Sequence, residues 1–137
     1  MSSTETQHPT PGYSLPAAIS RHVVRLFSEY TGRGPTKART MISDNVIVCV
    51  THDTLTKGER RLVEVGEADT VVSIRRKFQS TMREDLIAGV ELLTGCKVLS
   101  FMSDHDAVHD YAAEIFVLDT APAEQARSAE PDTRLES

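Results

Sequence analysis

Leu15, Ile19, His22, Val23, Leu26 and Tyr30 recur at three- and four-residue spacing and fall on one face of a helix. Ser14 stands where an N-cap belongs, Pro16 fits the first turn, and Gly32 supplies a left-handed stop after Thr31. The period then changes. Residues 36–42 (TKARTMI) and 46–51 (VIVCVT) read as two strands of a hairpin, joined at Asp44-Asn45, residue types that tolerate left-handed backbone angles. VIVCV is apolar on both faces, as a central strand should be.

A helical block follows. One short helix, capped by Asp53 or Thr54, runs to Val65 and stops at Gly66; a second opens at a cap on Asp69 and closes at Gly95. The second carries an apolar stripe of Val71, Ile74, Phe78, Met82, Leu86, Val90 and Leu93, mostly in steps of four. At ~1.5 Å per residue it spans ~38 Å, long enough to overhang a small domain and touch a partner. The pattern leaves open whether it is one helix or two broken at Gly89. Strands at 97–102 (KVLSFM) and 111–118 (YAAEIFVL) complete the series, joined by an acidic loop from Ser103 to Asp110. The order α-β-β-α-α-β-β predicts an α+β fold, a four-stranded antiparallel sheet with helices packed on one face. Residues 1–13 and 120–137, rich in Ser, Thr, Pro, Ala and Glu, read as disordered tails, the second acidic, around a single domain over 14–119.

Composition narrows the function classes. The 137 residues are 39% apolar and 26% charged, which suits one folded domain. No apolar run approaches the ~20 residues of a membrane-spanning helix, and the N-terminus does not read as a signal peptide. Cys49 and Cys96 lie in apolar surroundings without a CxxC and read as reduced thiols of a cytoplasmic protein. The net charge of −5 is unevenly spread. From Arg21 to Lys77 there are eleven bases against seven acids, whereas Phe78 to Asp119 holds two bases against eight acids. Such halves attract ligands of opposite sign, or each other within a fold or a dimer.

The candidate chemistry centres on YTGRGPTKART, residues 30–40. Two glycines and a proline between helix and strand expose backbone N–H groups beside three cations, a composition that suits a phosphate, carboxylate or bicarbonate. The anion- or partner-binding set is Gly32, Arg33, Gly34, Thr36, Lys37 and Arg39, extended by Lys57 and Arg60 from a second basic group on the following helices. It matches neither GxxxxGK[ST] nor GxGxxG. The plainer alternative is a helix stop followed by an edge strand protected by Lys and Arg. Nucleic acid is not an expected partner, because the balance is acidic and no aromatic lies between Tyr30 and Phe78. The Asp104–Asp110 stretch mixes three Asp with His105 and His109, but no Cys or HExxH accompanies them, so no metal site is assigned. No nucleophile, base and orienter can be assembled, no catalytic residue is assigned, and no cofactor is called for.

YTGRGPTKART, DTLTKGERRLV, RKFQSTMREDLIAGVELLTG, VLSFMSD and EIFVLD together resemble the MpsC-type family, small bacterial domains named for a cation-translocating, membrane-potential-generating system. The resemblance covers roughly residues 15–119. Its recurrent positions fall on Tyr30, Thr31, Gly32, Gly34, Pro35, Lys37 and Arg39, on Leu55 to Glu59, and on Phe78, Met82, Arg83, Leu86, Thr94 and Gly95. Where the family often has Asn after Ser-Asp, this chain reads Ser103-Asp104-His105-Asp106. The basic turn together with the resemblance implies a non-enzymatic accessory or regulatory domain, itself a homodimer, that binds a small anion or a partner protein and is linked to cation or inorganic-carbon transport, with a membrane transport partner. Two alternatives stand beside it. One is a small metal- or His-dependent enzyme using His52, His105 or His109 with nearby carboxylates; the other is a structural homodimer joined through the long helix.

Overall fold

The computed structural model describes residues 14–123. The element order is α1 (Leu15–Thr31), β1 (Lys37–Ser43), β2 (Val46–His52), α2 (Lys57–Glu64), α3 (Ala68–Thr94), β3 (Val98–Asp106) and β4 (Tyr111–Leu118). The strands form one antiparallel sheet in the order β1-β2-β4-β3. This is the α+β fold that the periodicity predicts. The tail expected at 1–13 lies outside the described residues. So does the tail expected at 120–137, apart from its first four residues, Thr120 to Ala123, of which Pro122 is buried.

Local sequence accounts for the boundaries. Ser14 is extended (φ −78°, ψ 168°), and its side chain accepts the N–H of Ala17, while Gly32 (φ 82°) ends α1 by donating to Ser28 O at 3.0 Å. Asp44 takes the left-handed angle (φ 54°) that the β1–β2 turn requires. Thr56, rather than Asp53 or Thr54, caps α2. Its hydroxyl accepts Glu59 N–H, and Glu59 Oε1 in return accepts Thr56 N–H at 2.8 Å, a reciprocal pair legible as T-K-G-E. α3 begins at Ala68, one residue before the expected Asp69 cap, and its N-cap position, Glu67, makes no side-chain cap bond. The 27 residues of α3 are one uninterrupted helix. Gly89 is not a break but a clearance, since a Cβ there would sit 2.0 Å from Cε1 of the His22 ring.

α1 and α3 lie side by side on one face of the sheet. Leu15, Ile19, Val23 and Phe27 of α1 meet Met82, Leu86 and Val90 of α3 over Ile47, Cys49, Phe101 and Phe116. A second small cluster joins Leu55, Val71 and Ala107. Two expectations need correction. The buried stripe of α3 passes through Arg75 and Gln79, with Ile74 and Phe78 only half-buried, because polar groups on distant segments receive those two side chains. The acidic stretch is not a long loop, since β3 continues through Asp104, His105 and Asp106 paired with Ala113, Ala112 and Tyr111, leaving Ala107–Asp110 as the turn. Backbone pairing with β4 fixes that extension; alternation then sends His105 inward and both acids outward.

Among the described residues, the opposite face of the sheet carries no helix. Val46, Val48 and Val50 of β2 and Ala113, Ile115 and Val117 of β4 alternate with the buried residues and are only half-covered. No helix among the described residues is long and apolar enough to cross a membrane.

Candidate functional site

The turn between α1 and β1 is held from within. Gly34 passes close to α1, where an added Cβ would meet Val24 O at 3.2 Å, and Pro35 is buried. Arg33 and Thr36 thereby face the connection that leaves β2. Both meet Asp53, which sits at φ 61°. The Arg33 guanidinium lies 3.1 Å from Asp53 Oδ2 and also donates to the Asp53 carbonyl. Thr36 Oγ1 donates to Oδ2 at 2.9 Å, and Arg60 from α2 donates to Oδ1 at 3.0 Å. The bond from Arg60, then those from Thr36 and Arg33, hold the Asp53 carboxyl down to about 2. All four side chains remain partly open to water.

Asp110 forms a second, more buried node behind the first. Burial opposes its ionisation, but Oδ1 accepts Thr54 N–H and Thr54 Oγ1–H, each at 2.9 Å, and Oδ2 accepts Leu55 N–H at 3.2 Å. With His105 beside it, these donors keep the carboxyl below its usual range. His105 is buried, and its Nε2 lies 3.2 Å from Thr54 Oγ1 and 3.4 Å from Asp110 Oδ1. Burial, then the Arg75 charge, lowers its pKa. Arg75, 1% exposed, reaches Thr54 O and Glu59 Oε1, both at 2.7 Å.

Of the eight residues assigned to the basic turn, the fold brings Arg33, Thr36 and Arg60 together on one carboxylate of the chain itself. Gly32 and Gly34 shape the backbone around them. Lys37 and Arg39 lie along β1 on the sheet face away from the helices, since the next residue, Thr40, points inward and bonds Ser20 of α1 at 2.7 Å. Lys57 is exposed at the first turn of α2. The three histidines weighed for catalysis do not converge. His52 stacks on Tyr111 with ring centroids 4.2 Å apart and donates to Asp110 O, His105 is inside, and His109 pairs with Asp106 at the surface. No group of three or more His, Cys, Asp or Glu able to hold a metal occurs among the described residues.

Sequence reasoning missed Asp53 as the centre of the node and Glu114 as the buried acid of the sheet. Glu114 is fully buried, with Gln79 Nε2 donating to its Oε2 at 3.1 Å. Burial outweighs the lowering effect of Ser103 and Gln79 and pushes its carboxyl up to about 8. A polar residue centred in the alternation YAAEIFVL was the available signal.

The family model described as "Na+-translocating membrane potential-generating system (MpsC)" matches residues 13–120, most of the chain and every element of the fold. The chain belongs to the MpsC family. No curated protein and no solved structure matches it. The MpsC description points to Na+ translocation, and the node around Asp53 lies wholly inside the matched region.

Proposed function

We propose that this MpsC chain is a non-enzymatic accessory domain of a Na+-translocating system that holds a small anion, or a carboxylate of a partner protein, at the turn after α1. The family's description supports the link to transport. The observation that carries the binding reading is the convergence of Arg33, Thr36 and Arg60 on a single partly exposed carboxylate. Guanidinium and hydroxyl donors aimed at the two oxygens of one planar group form a carboxylate-reading cradle. Asp53 fills it from within, and an incoming carboxylate competes with that side chain. Lys57, exposed on the same helix as Arg60, adds attraction at longer range.

Thermal unfolding in acetate, bicarbonate and phosphate, at fixed ionic strength, tests this reading. Asp53→Asn removes the internal competitor and is expected to show a larger anion-dependent rise in Tm than the unaltered chain. Arg33→Ala combined with Arg60→Ala is expected to show none. An Asp53→Asn protein that is folded but indifferent to all three anions overturns the proposal.

A further inference from the structure

We propose that the uncovered face of the sheet is an interface between two copies of this chain, related by a two-fold axis parallel to the strands. This goes beyond the anion reading and uses different residues. The pairing register aligns four rows across that face. Lys37, His52, Tyr111 and Asp106 form the first row, and Arg39, Val50, Ala113 and Asp104 the second. Met41, Val48, Ile115 and Met102 form the third, and Ser43, Val46, Val117 and Ser100 the fourth. The centre is therefore apolar, one edge strand is cationic and the other is acidic.

Rotation about an axis parallel to the strands reverses each row onto itself. Lys37 then lies over Asp106 of the second copy, Arg39 over Asp104, Met41 over Met102 and Ser43 over Ser100. Val48 covers Ile115, and His52 covers Tyr111. Every charge meets its opposite, twice by symmetry, and the apolar rows close on each other as in an aligned pair of sheets. A two-fold axis across the strands instead sets β1 on β1, placing Arg39 over Met41 and Lys37 over Ser43, which wastes both charges. Charge complementarity thus selects a second copy in one orientation.

Further details agree. Met102 and Tyr111 are each 49% exposed, large for an apolar-centred surface facing water. Lys37 and Arg39 have no ion-pair partner among the described residues. Asp104 and Asp106 do touch Arg76 and His109, yet stay 65% and 54% exposed. A shallow basin of about 350 Å³, lined by Val50, Asp104, Asp106, Tyr111 and Ala113 among others, lies where the arriving Lys37 and Arg39 would seat. A face four strands wide and seven residues long measures about 19 Å by 24 Å, the footprint of a small interface.

Sedimentation of the full chain from about 5 to 200 µM, the range suited to a small interface, tests the proposal. Self-association to twice 15.1 kDa is expected, weakened about tenfold or more by Lys37→Asp with Arg39→Asp, and likewise by Asp104→Lys with Asp106→Lys. Mixing those two variants is expected to restore association, because each then supplies the sign the other lacks. Circular dichroism establishes that both are folded. If either is not, Met41→Cys and Met102→Cys, each in a Cys96→Ser background, are mixed under mild oxidant; a disulfide between unlike chains is expected, with far less between like chains. A monomer throughout the range, association insensitive to charge reversal, or no preference for the unlike disulfide overturns the proposal.

Discussion

Asp53 and Glu114 are both carboxylic acids, and the fold drives them in opposite directions. Asp53 stands at the edge of the molecule with two guanidinium groups and a hydroxyl upon it, and is held ionised down to about 2. Glu114 lies beneath α3 with one amide donor at hydrogen-bond distance, and burial keeps it protonated up to about 8. The number of donors and the access of water decide the charge, not the residue type. The surface node is therefore built on charge, and the covered face of the sheet on its suppression.

The largest test of that contrast is Glu114→Gln, which fixes the neutral form. In the unaltered chain the native state holds a proton on Glu114 that the unfolded state releases above about pH 4.5, so its contribution to stability falls as pH rises from about 4.5 to 8. The limiting slope is about 1.4 kcal/mol per pH unit. His22 and His105, both lowered chiefly by burial, act oppositely, adding stability as pH rises towards 6.5 because only the unfolded state is protonated there. In urea titrations at pH 5 to 8, Glu114→Gln is expected to abolish the fall and to exceed the unaltered protein at pH 8 by on the order of 3 kcal/mol. An unchanged pH profile would show that Glu114 is ionised in place.

Gly89→Ala probes how closely the covered layer is packed. Relieving a helix-interior glycine is worth about 1 kcal/mol of propensity, but the new methyl meets the His22 ring, which is itself held by Leu86 O and Arg25. Overpacking of this kind costs about 1–3 kcal/mol, so net destabilisation is expected in chemical unfolding; stabilisation would mean that the ring moves freely. The smallest effect belongs to the surface node. Asp53→Asn is expected to lower stability at pH 7 and to match the unaltered chain below pH 2, since the ionised form is favoured above its unfolded pKa and loses that advantage as pH falls through about 2. A difference that persists in strong acid would assign the loss to geometry rather than charge.

Periodicity and caps made the fold legible: α1, the β1–β2 hairpin and β4 stand within a residue or two of where apolar spacing, Ser14, Gly32 and Asp44 put them. Arg75 and Gln79 were not legible as buried, because what makes burial tolerable is Glu59 and Glu114, contributed by other segments. The end of β3 was hidden for a similar reason, since polar side chains at Asp104 and Asp106 conceal a backbone that pairs regardless. At the candidate site, Arg33, Thr36 and Arg60 were visible as donors. Their common acceptor was not, because Asp53 is brought to them by the left-handed turn after β2 and by Asp110 across the sheet.

Glu59 takes two bonds on one oxygen, from its own helix's cap at Thr56 and from Arg75 in the middle of α3. α2 has no fully buried residue, only Leu62 and Val63 packed half-buried against the small cluster of Leu55, Val71 and Ala107, and eight residues alone make a marginal helix. If α2 peeled away, it would break the Arg60 bond to Asp53 and also strip a guanidinium of its counter-charge in the interior, so this oxygen acts as a second latch. Amide hydrogens in α2 should accordingly exchange with solvent only when α3 also lets go, slowly for so exposed a segment, and the two helices should melt as one cooperative unit.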